Sequence, residues 1–210
     1  MKILIACEYS GIVRDAFAKK GHDVMSCDIL PTESEGKHYQ GDVFDVLYDD
    51  WDMMIAHPPC THLSVSGARW FTEGKKPIYL REEALDFVRK LMDAPIEKIA
   101  IENPVSVIGS YIRKSDQTIN PYQYGHPEQK RTCLWLKNLP KLKETNNVYE
   151  DMMKLPVSQR ERIHWLGSKK GKERSKFYPG IAQAMAEQWS KPYEDFKQIE
   201  MDLRMIVSTE

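Results

Sequence analysis

The 210 residues hold only four cysteines, Cys7, Cys27, Cys60 and Cys133, and no two of them form a CxxC pair. That spacing fits neither a zinc ribbon nor a disulfide framework, so reduced thiols in a cytosolic protein and no bound metal are expected. Long apolar runs are missing as well. Met1 to Cys7 is short and ends at Glu8, unlike a leader peptide. No stretch approaches the roughly 20 apolar residues that a bilayer span needs, so a soluble, cytoplasmic chain without a membrane partner is expected. Charge of one sign is also lacking: 30 basic residues face 31 acidic ones. No global positive field announces nucleic acid, although a local patch remains open. Finally, no GxGxxG run is present, which weakens a nicotinamide dinucleotide reading.

What is present is alternation. Ile3 to Cys7 is a continuous apolar run suited to a strand buried on both faces, and Ser10-Gly11 opens a helical stretch through Val13, Ala16 and Phe17 that Gly21 closes. His22 to Asp28 reads as a second strand, and residues 29–40 as irregular. Asp52 to Ala56 reads as a third strand, stopped by His57-Pro58-Pro59 because proline cannot donate to a sheet ladder. Arg81 to Met92 puts Ala84, Leu85, Val88 and Leu91 on one helical face, and Lys98 to Ile101 is another buried strand, ended at Glu102-Asn103-Pro104. Tyr122 to Gly125 and Arg131 to Leu136 read as an antiparallel edge hairpin joined at His126 to Lys130. Leu139 to Ser168 is weakly patterned, Lys169 to Lys176 is basic, and Pro179 to Trp189 reads as a closing amphipathic helix. With 41% hydrophobic content, the chain suits a single α/β domain over residues 1–210, a doubly wound, mostly parallel sheet with an antiparallel edge hairpin.

In such a sheet ligands bind beyond the carboxyl ends of the strands, and the chemically distinctive residues cluster at those ends. Tyr9, Ser10 and Gly11 follow strand one, Asp28 ends strand two, Asp42 precedes a short apolar run, Pro59 and Cys60 follow the proline stop, and Glu102 follows the next strand. Loops after adjacent strands, about 5 Å apart, can present two side chains to one small ring. A thiolate such as that of Cys60 suits addition across the 5,6 bond of cytosine, which makes carbon 5 nucleophilic. A carboxyl group such as Glu102 suits the ring nitrogen N3 and the exocyclic amine. The turn after strand one and the acid Asp28 suit a nucleoside cofactor, since an acid there can accept both ribose hydroxyls.

The order Tyr9-Ser10-Gly11, Pro58-Pro59-Cys60, Glu102-Asn103 and Gln129-Lys130-Arg131 resembles the DNA cytosine-5 methyltransferase family over most of the chain. The resemblance implies S-adenosylmethionine as cofactor and DNA as the nucleic-acid partner. It further implies Cys60 as nucleophile, Glu102 as base holder, Arg131 as a catalytic cation, and Asp28 and Asp42 as ribose and adenine contacts. Three departures stand out: Val13 replaces a second glycine, Cys133 replaces a second arginine, and Thr132 to Tyr178 is too short for the family's target-recognition domain. A second subunit supplying recognition would compensate for the last.

Plainer readings compete. Cys7 and Cys27 suit small buried hydrophobes, Glu102-Asn103 suits a cap for the segment after Pro104, and the Lys169 to Lys176 segment suits a solvated loop as readily as phosphate contact. Arg69-Trp70 suits a loop that closes over an extruded base. An amino methyltransferase is the closest enzymatic rival, although His57 and Cys60 stand where its loop carries an acid or amide and an aromatic. A catalytically inactive nucleic-acid or partner-binding protein on the same fold is the non-enzymatic rival.

Overall fold

The computed structural model describes residues 1–166 and 170–190. In chain order the elements are β1 (Lys2–Ala6), α1 (Ile12–Ala18), β2 (Asp23–Asp28), β3 (His38–Gln40), β4 (Met53–Ala56), α2 (Arg69–Thr72), α3 (Tyr79–Met92), β5 (Lys98–Pro104) and α4 (Ile108–Tyr111). They continue with β6 (Gln117–Ile119), β7 (Thr132–Lys137), α5 (Tyr149–Met153), α6 (Val157–Arg160), α7 (Arg162–Trp165), α8 (Gly171–Ser175) and α9 (Pro179–Trp189). The seven strands form one sheet in the order β3-β2-β1-β4-β5-β7-β6, parallel from β3 to β5 and antiparallel at β7 and β6. The fold is therefore the α/β class expected.

Continuous apolar strands are required because both faces are covered. Ile3, Ile5, Met53 and Ile55 point to one core with Val13 and Phe17 of α1 and Ile181, Met185 and Trp189 of α9. Leu4, Ala6, Met54, Ala56, Ile99 and Ile101 point to the other, with Leu85, Val88 and Leu91 of α3. Each of the larger aliphatic and aromatic side chains, removed from water, stabilises the fold by about 1.5–3 kcal/mol, and Ala6 and Ala56 by less. Strand order reverses between β1 and β4, so a crevice opens where the loops after those two strands part, the usual ligand position in this class.

Three expectations need correction. Tyr122 to Gly125 is not a strand: Pro121–Gln123 is a 3-10 turn held by the Asn120 backbone amide donating to Gln123 Oε1 at 2.6 Å and the Gln123 backbone amide to the Asn120 carbonyl at 3.1 Å, and the hairpin partner of β7 is β6, just upstream. Proline at the first turn position, with Asn before it, outweighs the β propensity of the two tyrosines. Residues 29–40 are not wholly irregular, because His38–Gln40 pairs with Ser26–Asp28, held by a 2.9 Å contact between Ser26 Oγ and His38 Nδ1. The strand before Glu102 does not stop there. β5 continues through Pro104 because β7 pairs with it beyond the end of β4, matching Glu102 with Leu134 and Asn103 with Cys133.

Candidate functional site at the carboxyl edge

The β1–α1 turn is built on Glu8. Cys7 adopts a left-handed conformation, φ 60°, at the end of β1, and the chain then buries Glu8 beneath the start of α1. The Glu8 carboxylate accepts the backbone amides of Val13 at 2.7 Å and Arg14 at 3.1 Å and the Ser10 hydroxyl at 3.2 Å. Amides that a helix otherwise offers to an anion are thus taken by the chain itself. Gly11, φ +75°, is the one residue type that fits its place, since a Cβ there would lie 2.1 Å from Ser34 Oγ and 2.5 Å from Arg14 Nη2. Buried Arg14 gathers the loop after β2 by donating to Ser26 and Thr32 hydroxyls and to the Ser34 and Glu35 carbonyls. Neither Glu8 nor Arg14 was singled out from sequence; an acid directly after a buried strand and before a helix start was the available signal.

Of the residues expected to hold a cofactor, Ser10 is engaged in this capping, and the Tyr9 hydroxyl donates to the Lys172 carbonyl at 2.7 Å, which ties the turn to α8. Asp28 accepts the Leu30 amide at 2.9 Å through Oδ1, and Asp42 accepts the Phe44 amide at 3.0 Å through Oδ1. Among the described residues the second oxygen of each carboxylate has no hydrogen-bond partner. The two acids converge on one neighbourhood. Burial pushes the Cys27 thiol up to about 12, and the charges of Asp28 and Asp42 add to that; Cys7 is raised by the same causes. Both thiols are therefore protonated and inert at neutral pH.

On the other side of the crevice, the β4–β5 register sets Ala56 beside Ile101, so the next residues, His57 and Glu102, are neighbours. His57 Nδ1 lies 3.1 Å from Glu102 Oε2, with the side chains only 12% and 11% exposed, and the imidazole packs 4.8 Å from the Phe177 ring. Burial pushes Glu102 up, but the hydrogen bond and charge of His57, helped by Lys130, outweigh it and hold the carboxyl below its ordinary range. Glu102 therefore binds His57 rather than capping the segment after Pro104. Asn103, 1% exposed, donates from Nδ2 to the Pro58 carbonyl at 2.8 Å, and backbone bonds from Val65 to Val105 and from Val107 to Leu63 stitch the loop after β4 to the segment after β5. Pro59 and Cys60 lie exposed on that loop. Cys60 is exposed as a residue, yet enough protein surrounds its sulfur to push the thiol up; the nearby Glu102 charge adds to this, while Lys130 and Arg174 pull it back.

The cations that act on Cys60 and Glu102 are thus Lys130 and Arg174, whereas Arg131 is exposed just before β7 and contributes to neither shift. Lys130 Nζ donates to the Arg174 carbonyl at 3.3 Å and sits 5.8 Å above the Tyr178 ring. Its loop is pinned by Glu128, which accepts from Tyr178 at 2.7 Å and Arg162 at 2.9 Å. In the basic segment, Lys169 lies outside the described residues, Lys170 and Lys176 pair with Glu173 and Glu33, and Lys172 and Arg174 have no carboxylate partner among the described residues. Arg69 stacks on Trp70 at 4.4 Å in α2, farther along the loop that carries Cys60. Among the described residues no three His, Cys, Asp or Glu side chains cluster as metal ligands, and no helix is long and apolar enough to cross a membrane.

No family model matches the chain, and no curated protein matches it. Solved structures that share part of its shape include a prophage-encoded E. coli protein described as a candidate DNA modification methyltransferase, at TM-score 0.44 and 15% identity over 75% of this chain and 56% of that one. The Entamoeba histolytica methyltransferase EhMeth is similar at TM-score 0.49 and 15% identity over 70% of this chain and 57% of that one. A Spodoptera frugiperda DNMT2 variant is similar at TM-score 0.40 and 17% identity over 70% of this chain and 54% of that one. The chain spans a little over half the length of each. At these values the function must be argued from the chain's own residues.

Proposed function

We infer that this protein is an S-adenosylmethionine-dependent methyltransferase acting on carbon 5 of cytosine, with DNA as the nucleic-acid partner. The observation that carries the reading is the proximity, at the carboxyl edge, of an exposed residue, Cys60 on the loop after β4, and a buried carboxylate, Glu102 in β5, with the acids Asp28 and Asp42 across the crevice.

The residues fit the cofactor. Glu8 has taken the Val13 and Arg14 amides at the start of α1, which withdraws them from a pyrophosphate and disfavours a dinucleotide. The free oxygens of Asp28 and Asp42 suit ribose hydroxyls and an adenine amine, and a carboxylate-rich edge suits a cationic sulfonium. Bound there, S-adenosylmethionine supplies an electrophilic methyl group.

Cys60 adds to carbon 6 of the ring as the thiolate, and the 5,6 π pair then builds density at carbon 5. Glu102 accepts the exocyclic amine and manages the proton at N3 that this density requires. A base seated on Glu102 shields its charge from Cys60, which removes one cause of the raised thiol and favours the thiolate once substrate is bound. Asn103 keeps the loop after β4 at a fixed distance from Glu102 through the Pro58 carbonyl. Arg131, Lys172 and Arg174, free of carboxylate partners among the described residues, suit phosphate contacts at the same edge. Among the described residues the region between β7 and α9 holds four short helices of four or five residues each, so a second subunit is the proposed source of site selection.

The test is covalent capture. With cofactor and DNA containing 5-fluorocytosine, the wild type forms a stable protein–DNA adduct and Cys60→Ala forms none. Absence of adduct from the wild type with duplex DNA would overturn the DNA mechanism.

A further inference from the structure

The imidazole beside Glu102 departs from a lone carboxyl that holds a base. We propose that His57 is the positioning and proton-storing partner of Glu102, so that the two side chains act as one unit in protonating cytosine N3 during thiol addition. The proposal rests on the cytosine reading above.

Three features of the geometry carry it. The pair is close, 3.1 Å from Nδ1 to Oε2, and nearly enclosed, at 12% and 11% exposure, so water screens it poorly. Its orientation is fixed from both sides: the His57 backbone amide donates to the Ala6 carbonyl at 2.9 Å, and Phe177 covers the ring. His57 Nε2 is buried with no partner in the described structure, so a protonated ring has one acceptor in Glu102 and one nitrogen left for a bound molecule or solvent to complete. The charged and titratable groups around the pair are Glu102 on β5, Cys60 on the same loop as His57, Lys130 before β7 and Arg174 on α8.

The chemistry balances. The step starts from the form of the pair in which one proton is shared on the Nδ1–Oε2 contact and Nε2 also carries its hydrogen. The Cys60 thiolate forms the S–C6 bond, the 5,6 π pair moves to the 4,5 position, and the 4,N3 π pair becomes the N–H bond at N3. That proton comes from Glu102, which is resupplied from His57 Nδ1. Overall, one negative sulfur and one imidazolium become a neutral adduct and a neutral imidazole, with no further reactant. Reversal returns the proton to the pair. The same contact that holds the Glu102 carboxyl below its ordinary range places a ring N–H directly against it, so the proton that the carboxylate lacks is one hydrogen bond away.

The addition step can be read without cofactor, because the enamine carbon 5 exchanges its hydrogen with solvent before the sulfur leaves. Deuterium uptake at carbon 5 is measured in D2O from pH 5.5 to 9 for wild type, His57→Asn and His57→Gln, with binding of the oligonucleotide measured alongside. Asn keeps an N–H near the Nδ1 position but does not titrate. The expected result is about a hundredfold slower exchange in His57→Asn at neutral pH, loss of the falling limb in the imidazole range, and affinity within a few-fold of wild type. Exchange in His57→Asn within threefold of wild type, with the same limb, overturns the proposal. Should both variants unfold, nitrogen-15 spectra of the wild type at pH 6 decide. His57 loses its proton when an oligonucleotide carrying 5-fluorocytosine forms the adduct, and a ring that stays protonated in the adduct overturns the role. No wild-type exchange on duplex, single-stranded or nucleotide substrates overturns the cytosine reading and this role together, whereas normal exchange in both proteins overturns the role alone.

Discussion

Glu8→Gln perturbs the start of α1 with little change in volume, and its cost follows from the contacts. The Glu8 carboxylate serves two helix amides and the Ser10 hydroxyl from a side chain in a residue only 4% exposed. Glutamine keeps one oxygen, which can still accept Val13, but its amide group faces the Arg14 N–H, donor to donor. An unsatisfied buried amide costs about 1–3 kcal/mol. Charge lost from a helix N-terminus adds about 0.3–1 kcal/mol, and the remaining bond falls to roughly half its strength. The expected loss is about 2–4 kcal/mol, a sizeable share of the roughly 5–15 kcal/mol that holds a domain together. With a urea slope near 2 kcal/mol per molar, the midpoint should fall by about 1–2 M, followed by tryptophan fluorescence. Calorimetry with S-adenosylmethionine should show weaker binding as the Tyr9 to Gly11 turn loosens. A midpoint shift under about 0.3 M would refute the assignment of Glu8 as the helix cap. Unchanged stability with lost binding would assign it to the ligand instead.

Further outcomes follow from the site. Alkylation of the folded protein should label Cys60 first, with Cys7, Cys27 and Cys133 protected, and peptide mass spectrometry reads the order. Glu102→Gln should speed labelling of Cys60 at pH 8 because it removes a charge that raises the thiol, while Lys130→Ala should slow it; the reverse order would refute the coupling. Gly11→Ala forces a side chain into the left-handed region and against Ser34 and Arg14, so a melting-temperature drop of several degrees and weakened cofactor binding are expected in a thermal scan. Because the Glu102 carboxyl is depressed in the fold, its stabilising contribution is present above its ordinary pKa and lost as pH falls through the lower folded value. The difference in stability between wild type and Glu102→Gln should therefore shrink below about pH 4.5, and denaturation series at pH 7, 5 and 3.5 measure it.

The sheet was legible because burial on both faces forces an unmistakable pattern. Ile3 to Ala6 and Met53 to Ala56 have no polar residue to satisfy, and proline or a polar pair marks where each strand meets the crevice. The edge was less legible for the same physical reason. His38–Gln40 has little apolar surface and is held by the Ser26–His38 contact, which spans twelve residues and leaves no local periodicity. Tyr122 and Tyr124 have β propensity, but Pro121 and the two hydrogen bonds between Asn120 and Gln123 decide their backbone, and that is a matter of hydrogen-bond geometry rather than composition. Cys60 and Glu102 could be singled out because each is chemically unusual at a strand end. Glu8 escaped notice, and His57 was visible only as a strand stop and a loop position, because their significance lies in what they touch. The distinction bears on the chemistry: a thiol and an acid alone could have unrelated roles, whereas here the Glu102 carboxylate is held by His57 and its charge acts on Cys60. If exchange at carbon 5 depends on His57 as well as Cys60, the edge functions as a connected proton path, and swapping either loop between chains with different partners should abolish the step even when both named residues remain.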